Sequence, residues 1–133
     1  MSIQFLFPEL TYKIIGCAYK VSNTLGIGFL EKVYENSLFH EMKKDGLVVI
    51  QQYPVKVKYD GVIVGEFSLD MLVNGMIIVE LKAASTLSNE HLAQAFNYLR
   101  ATGLPACLLI NFGQPKIQLR RLYPSPKWKS SQS

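Results

Sequence analysis

Two N-terminal segments have apolar residues at the spacing of an α-helix. The first runs from Pro8, which a first helical turn tolerates, to Leu25, and Gly26 ends it. The second begins after Gly28 and ends before Gly46, with two lysines near its carboxyl end. Both segments are amphipathic, so we expect them to pack as a helical hairpin. The side chains expected to face the core from the second helix are Leu30, Val33, Tyr34, Leu38 and Met42.

Beyond the second predicted helix, apolar and polar residues alternate as they do in half-buried strands. The dipeptide Asp60-Gly61 separates two such runs and predicts a hairpin turn. Two further runs meet around Val73-Asn74-Gly75, and outside this turn their odd-numbered positions from Phe67 to Leu81 are apolar. We therefore expect two strands with one wholly apolar face.

The parity of these runs restricts the turn between them. A two-residue Asn-Gly turn would mix apolar and polar positions on each face. A three-residue connection, Val73-Asn74-Gly75 with the glycine left-handed as a bulge, keeps the odd positions together. In that register Ser68 lies opposite Glu80, and Asp70 is one diagonal step away. The charged residues on the polar face are then Asp70, Glu80 and Lys82.

The remaining chain predicts one helix and two strands. The helix runs from an N-cap at Ser88 to about Ala101, with Gly103 as its stop. Residues 104–112 are nearly all apolar, as in a central strand that is covered on both faces, and residues 116–122 alternate like a last strand. The helix has a core stripe and an adjacent polar stripe; the first is Leu92, Ala95, Phe96 and Leu99, and the second is His91, Gln94 and Tyr98.

The composition fits one compact domain. The chain has 133 residues, 49% hydrophobic and 18% charged, which is enough to bury a core and excludes intrinsic disorder. Cys17 and Cys107 are expected to be buried; they form no disulfide framework and suit a reducing cytoplasm. No apolar run approaches the roughly 20 residues that span a bilayer, and residues 1–10 lack the order of a signal peptide. We expect a cytoplasmic domain over residues 1–123, a flexible basic tail over residues 124–133 and no membrane association.

Basic residues are concentrated near the carboxyl end. All ten acidic residues lie at or before Glu90, together with eight lysines, whereas six basic residues and no acidic ones follow. A basic C-terminal third can contact phosphates without reading sequence. Charge alone favours a simpler interpretation, a solvated strand and a solubilising tail. The candidates for nucleic-acid contacts are His91, Arg100, Lys116, Arg120 and Arg121.

The polar face of the predicted strand pair has a definite chemical use. The carboxylates of Asp70 and Glu80 are hard oxygen ligands of the kind Mg²⁺ prefers, and the Leu81 carbonyl is a further candidate ligand. Lys82, on the same face, can orient a metal-bound water or stabilise charge in the transition state. Taken alone, Glu-x-Lys is a weak signal, and a solvated face with three charges explains it better.

Further motifs favour the metal-binding interpretation over the solvated face. In chain order they are Gly28-x-x-Glu31-x-x-Tyr34, Asp70, Glu80-Leu81-Lys82-Ala83, His91-x-x-Gln94-x-x-Asn97-Tyr98-Leu99, Thr102-Gly103 and Leu109-Ile110-Asn111-Phe112-Gly113. This ordered set closely resembles the GxxExxY family, which is grouped with the PD-(D/E)XK nuclease-like superfamily. The resemblance covers about residues 9–122. It implies an α/β (α+β-like) fold, a mixed central sheet flanked by helices with a restriction-endonuclease-like αβββαβ core.

The resemblance also implies roles for individual residues. Asp70 and Glu80 match the metal-binding carboxylates of the superfamily, and Lys82 matches its catalytic lysine. Glu31 matches an acidic residue that some members carry on a helix, although the helix dipole alone would also stabilise it there. His91 has an alternative role as a helix cap. Two residues match the Gln-x-x-x-Tyr helix that follows the core and could orient Lys82 or a phosphate: Gln94 and Tyr98.

Two functions follow from this sequence. The first is a Mg²⁺-dependent nuclease, with Mn²⁺ as a substitute ion, that hydrolyses phosphodiester bonds of nucleic acid, expected to be DNA. The alternative is a catalytically silent module that retains the fold and binds nucleic acid or a protein. The small size favours the alternative and would require a homodimer or a protein partner. A third, weaker interpretation has the basic tail binding an acidic protein.

Overall fold

The computed structural model of the chain describes residues 7–128. Five strands form one mixed sheet in the order β1-β2-β3-β4-β5, in which only β3 and β4 are parallel. With three helices this is the predicted α+β fold class. No helix within residues 7–128 is both long and apolar enough to cross a bilayer. The elements are α1 (Pro8–Leu25), α2 (Glu31–Lys44), β1 (Val49–Tyr59), β2 (Val62–Val73), β3 (Ile77–Lys82), α3 (Asn89–Thr102), β4 (Ala106–Asn111) and β5 (Gln118–Leu122).

A hydrophobic cluster lies on each face of the sheet. The larger cluster joins α1 and α2 to one face, and the smaller joins α3 to the other. Cys17 belongs to the first and Cys107 to the second, and both are buried and free, as predicted. The sheet is therefore covered on both sides in its centre, where β4 is buried along its whole length.

The helices begin and end close to where glycines and caps predict. α1 has the predicted bounds, and α3 follows the predicted N-cap Ser88. In α2, however, the inward positions predicted for Leu30 and Val33 are wrong, because these side chains are 80% and 37% exposed. The buried stripe of α2 is instead Tyr34, Glu35, Leu38 and Met42, with a charged residue in place of the expected apolar ones.

The connection between β2 and β3 has three residues, as predicted, but it begins one residue later. Val73 pairs with Ile77, so the connecting residues are Asn74, Gly75 and Met76. Asn74 and Gly75 both have positive φ, at 52° and 67°. Odd positions still pair with odd positions, and the predicted parity is confirmed. The register differs from the predicted one by two residues, which moves Asp70 to the position opposite Glu80 that was predicted for Ser68.

The odd positions of β2 do not share one apolar face, contrary to the prediction. Met71 packs in the cluster of α1 and α2, whereas Leu69 packs in the cluster of α3. The change coincides with Gln52 on β1, which lies between the paired residues Gln51 and Tyr53, beside Asp70, and has a left-handed φ of 52°. Two-stranded ribbons also twist strongly. The part of the β1–β2 ribbon that contains the residues of β2 before Asp70 therefore curls toward α3.

Residues 124–128 begin the segment that the sequence predicts to be a flexible basic tail, and Trp128 in this segment contacts α3. Trp128 makes an edge contact with Phe96 of α3, with ring centroids 6.3 Å apart, and the Arg100 guanidinium lies 5.6 Å from the Trp128 ring centroid. Phe96, which was predicted in the core stripe, is instead 37% exposed and belongs to neither hydrophobic cluster, so that prediction is wrong. Residues 129–133 lie outside the described part of the chain.

Candidate active site

Strands β2 and β3 separate after a short antiparallel segment, and two carboxylates lie at the separation. Met71 and Val79 are the last paired residues. Beyond them, the Asp70 backbone N–H donates to Glu80 Oε2 at 2.6 Å, and the Leu81 backbone N–H donates to Asp70 Oδ2 at 2.8 Å. Each carboxylate thus replaces a backbone hydrogen bond of the ladder, which fixes both side chains between the diverging strands.

Of this pair of carboxylates, Glu80 is buried and Asp70 is partly buried. Glu80 is 5% exposed, and burial, reinforced by the Asp70 charge, raises the pKa of Glu80 to about 8. Burial also raises the pKa of Asp70, although the Leu81 amide opposes the shift. The ion pairs of residues 7–128 involve neither residue. Because an unpaired buried charge is costly, this is a place where a bound cation would be strongly stabilised.

The other predicted charged residues lie near the carboxylates. Lys82 lies two residues after Glu80 on β3, and its charge opposes the rise in the pKa of Asp70, Glu80 and Glu31, although it forms no ion pair with them in the described chain. Glu31 is the first residue of α2 and is only partly covered, and this partial burial and the Asp70 charge raise its pKa. The structure therefore brings all four predicted charged residues into one region.

Tyr34 explains how Glu31 is held in this region. The Tyr34 hydroxyl donates to the Gly26 carbonyl at 2.6 Å and accepts from the Phe29 N–H at 3.3 Å, and its ring stacks on Phe112 with centroids 5.0 Å apart. The buried tyrosine thus ties the α1–α2 turn to the sheet. It has a structural role and fixes the start of α2, where Glu31 lies.

The donor set fits a hard divalent cation. Asp70 and Glu80 both present carboxylate oxygens, and Mg²⁺ is commonly held by one or two carboxylates with waters completing its shell. Among residues 7–128, no three or more His, Cys, Asp or Glu side chains are grouped as a metal site. Glu31 therefore does not complete a three-residue set in this conformation, and the Leu81 carbonyl stays a predicted ligand.

A second buried acid, which the sequence did not predict, lies beside the site. Glu35 is 4% exposed, and its Oε2 accepts from Lys32 Nζ at 3.0 Å and from Gln51 Nε2 at 2.7 Å. Its Oε1 accepts from Gln52 Nε2 at 3.1 Å. The Gln52 side chain also hydrogen-bonds the Asp70 carboxylate and lowers its pKa. The available signals were the position of Glu35 next to the motif tyrosine and the Gln-Gln pair that interrupts the alternation of β1.

The polar stripe of α3 faces the carboxylates in part. Burial and the charges of Glu80 and Asp70 raise the pKa of Tyr98 to about 12, and the Gln94 side chain hydrogen-bonds Tyr98. His91 instead caps its helix: its Nδ1 accepts from the Ser88 N–H at 3.1 Å, and its own N–H donates to Ser88 Oγ at 3.2 Å. Of this stripe, Gln94 and Tyr98 approach the site, and His91 has the structural role.

The basic candidates divide between the two faces of the sheet. Arg120 pairs with Leu109, which pairs with Glu80, so Arg120 lies on the same face as Glu80, two strands or roughly 10 Å away. Arg121 points to the opposite face, and Lys116 precedes β5; all three are exposed. Arg100, exposed on α3, lies over the Trp128 ring. Only some of the predicted phosphate-contacting residues thus share the surface of the carboxylates.

Comparisons with known proteins agree with this architecture. A family model described as the PD-(D/E)XK nuclease superfamily matches residues 8–122. Among solved structures, an alkaline exonuclease (LHK-Exo) from Laribacter hongkongensis is similar, with a TM-score of 0.50 and 15% sequence identity. The match covers 65% of this chain and 52% of the exonuclease, so the likeness spans about half of that protein and concerns the fold. Comparison with curated proteins finds no match.

Proposed function

We propose that this chain, which belongs to the PD-(D/E)XK nuclease superfamily, is a divalent-metal-dependent nuclease that hydrolyses phosphodiester bonds. Nucleases of this superfamily typically use divalent metal ions, and we expect Mg²⁺, with Mn²⁺ as a substitute. DNA is the expected substrate. One observation carries the proposal: Asp70 and Glu80 are held side by side where β2 and β3 separate, and no ion pair within residues 7–128 neutralises them.

In this proposal Asp70 and Glu80 hold the cation, with the Leu81 carbonyl as a further ligand. A bound cation supplies a Lewis acid and lowers the pKa of its water. Lys82 orients the attacking water and stabilises negative charge on the phosphate, and Glu31 accepts a hydrogen bond from that water. These assignments rest on the proximity of the four side chains.

Gln94 and Tyr98 bind the phosphate as neutral donors in this proposal. With a pKa of about 12, the Tyr98 phenol stays protonated at neutral pH and can donate a hydrogen bond to a phosphate oxygen. Arg100, Lys116, Arg120 and Arg121 contact the nucleic-acid backbone farther from the scissile bond. With Nδ1 of His91 used in the cap, only its Nε2 is available for such a contact.

We further propose that, within the superfamily, the chain belongs to the GxxExxY family, because the ordered motifs favour it. We also propose a single nuclease-like domain over residues 1–123, acting in the cytoplasm, and a homodimer or a protein partner that enlarges its substrate-binding surface.

Cleavage assays test the proposed function. The full chain is incubated with duplex and single-stranded DNA and with RNA, in Mg²⁺, in Mn²⁺ and in EDTA. We expect cleavage that requires the cation and is lost in Asp70→Asn and Lys82→Ala. Glu9→Gln, an exposed carboxylate on α1, is the matched control and should cleave like the parent. Cleavage in EDTA, or equal cleavage by parent and Asp70→Asn, contradicts the proposal.

The second candidate function is a catalytically silent nucleic-acid- or protein-binding module. It is favoured by the grouping of only two carboxylates, with Glu31 outside the pair. Such a module would bind nucleic acid with an affinity that falls as salt rises, without turnover. Binding that is unchanged in Asp70→Asn, together with no cleavage by the parent in either cation, would establish this function in place of the first.

A further inference from the structure

A pocket lies between the outer half of the β1–β2 ribbon and α3, beside the carboxylates. Its volume is about 450 Å³, and Val57, Phe67, Gln94, Asn97 and Tyr98 line much of it. Pockets of this size hold small organic groups. The pocket exists because the ribbon curls over α3, and it is distinct from the gap between β2 and β3 where the carboxylates lie.

The walls of this pocket combine a flat aromatic surface with planar amides. The rings of Phe67 and Tyr98 stack with centroids 4.5 Å apart and an interplanar angle of 15°. Gln94 and Asn97 are exposed on α3, and within residues 7–128 the Asn97 side chain makes no hydrogen bond to the protein. A carboxamide offers a donor and an acceptor together, which matches the edge of a nucleobase. Aromatic rings bind bases by stacking.

The pocket shares one residue, Tyr98, with the proposed phosphate site. Tyr98 lines the pocket and stacks on Phe67, and the charges of Glu80 and Asp70 contribute to the raised pKa of its hydroxyl. Phe67 lies three residues before Asp70 on β2. A nucleotide whose phosphate lies at the carboxylates therefore has a base within reach of the pocket.

We propose that this pocket binds an unstacked nucleobase next to the scissile phosphate, and that the substrate is therefore single-stranded or frayed nucleic acid. The inference rests on the proposed function for the position of the phosphate. A base in an intact duplex must first be unpaired and unstacked, which costs free energy, whereas a base in a single strand has no partner to lose before it enters the pocket. The pocket thus selects against intact duplex.

Binding of short fluorescent oligonucleotides in EDTA tests the inference without cleavage. The probes are an oligodeoxythymidylate, the same strand with abasic sites throughout, and a blunt duplex. We expect the chain to bind the single strand at least about tenfold more tightly than the duplex. We expect Asn97→Ala and Phe67→Leu to weaken single-strand binding, together by about 5- to 150-fold, the range for one stacked base, and to leave duplex binding unchanged. Abasic strands should lose the same factor.

Asn23→Ala on α1 is the matched control for the exposed asparagine and should bind like the parent. Asn97 is exposed, so Asn97→Ala tests the pocket even if Phe67→Leu destabilises the fold. Cleavage by the parent in Mg²⁺ with single-strand binding unchanged in Asn97→Ala and Phe67→Leu overturns the inference and leaves the function standing. A preference for single strands that depends on these residues, without cleavage in Mg²⁺ or Mn²⁺, supports the pocket and overturns the nuclease proposal.

Discussion

Two polar side chains are buried near the same end of neighbouring strands, and their surroundings differ in one respect. Asn111, at the end of β4, is fully buried and makes four hydrogen bonds. Its Oδ1 accepts from the N–H groups of Ala84 and Gly113 at 2.9 and 3.0 Å, and its Nδ2 donates to Ala84 O and Gln118 Oε1, both at 2.9 Å. Glu80 accepts one hydrogen bond, from the Asp70 N–H, and has no ion pair in the described chain.

Structural and functional polar groups in this fold differ in how completely the protein satisfies their hydrogen bonds and charge. The neutral amide of Asn111 has all its hydrogen-bonding groups satisfied and joins the loop after β3 to β4 and β5. The Glu80 carboxyl accepts one hydrogen bond within residues 7–128, and burial raises its pKa to about 8, so without a cation its neutral form is favoured at pH 7. A buried polar group with all its hydrogen bonds made inside the protein stabilises the fold, whereas a buried carboxyl with one hydrogen bond and no ion pair in the described chain is available to a cation.

Removing the charge of Glu80 should give the largest change in activity. We expect Glu80→Gln to lower the cleavage rate by about 1,000-fold or more, because several kcal/mol of metal-dependent stabilisation are lost. The variant should remain folded in EDTA, since an amide in this buried position needs no counter-ion. Loss of folding in Glu80→Gln would contradict the assignment of Glu80 to the functional side of the comparison.

The Asn111→Ala variant should show the opposite behaviour. Loss of the amide leaves the Ala84 N–H and carbonyl and the Gly113 N–H without their side-chain partner, whereas Gln118 keeps its hydrogen bonds to Leu87 and Thr86. We expect the free energy of unfolding to fall by about 2–4 kcal/mol, measured by urea denaturation. At low temperature, where the protein is folded, cleavage per folded molecule should be close to that of the parent. Asn23→Ala is the control and should unfold like the parent.

The pH dependence of stability should also separate the two residues. In the metal-free protein, folding raises the pKa of Glu80 from 4.5 to about 8, so between these values the folded state binds more protons than the unfolded state. The free energy of unfolding should therefore fall by up to a few kcal/mol as the pH rises from about 5 to 8, and level off above. Glu80→Gln should remove most of this slope, whereas Asn111→Ala should retain it at lower stability.

The Glu35→Gln variant tests whether this buried acid on α2 supports the site. Through Gln52 it orients Asp70, so we expect Glu35→Gln to weaken cation binding and cleavage by about 10- to 100-fold, the usual effect of a residue behind a metal ligand. The apparent affinity for Mn²⁺ should change more than the free energy of unfolding. An unchanged Mn²⁺ affinity with a large loss of stability would place Glu35 with Asn111 as a purely structural group.

Local patterns predicted most of the elements in this protein. The period of 3.6 residues and the glycine and serine caps located α1 and α3 within a residue. The turn between β2 and β3 was displaced because apolar alternation has a period of two, and a register shift of two residues preserves it. That shift decides whether Ser68 or Asp70 lies opposite Glu80, so the site was only approximately predicted.

Non-local packing produced the features that the sequence did not predict. Glu35 was missed because a charged residue on a helix is ordinarily exposed, and its partners Gln51 and Gln52 come from a strand that the sequence does not place beside it. The left-handed φ of Gln52 and the curl of the ribbon have no local signal either. The same curl forms the pocket at Phe67 and Tyr98, which therefore emerged only from the structure.

Calorimetric titration of the metal-free chain with Mn²⁺ tests the central claim most directly, since it measures the carboxylate site without requiring turnover. We expect the parent, Glu9→Gln and Asn23→Ala to bind Mn²⁺ with the same affinity, and Asp70→Asn and Glu80→Gln to bind at least about tenfold more weakly. Binding by the parent that persists unchanged in both site variants, or no binding by the parent at all, would contradict the account.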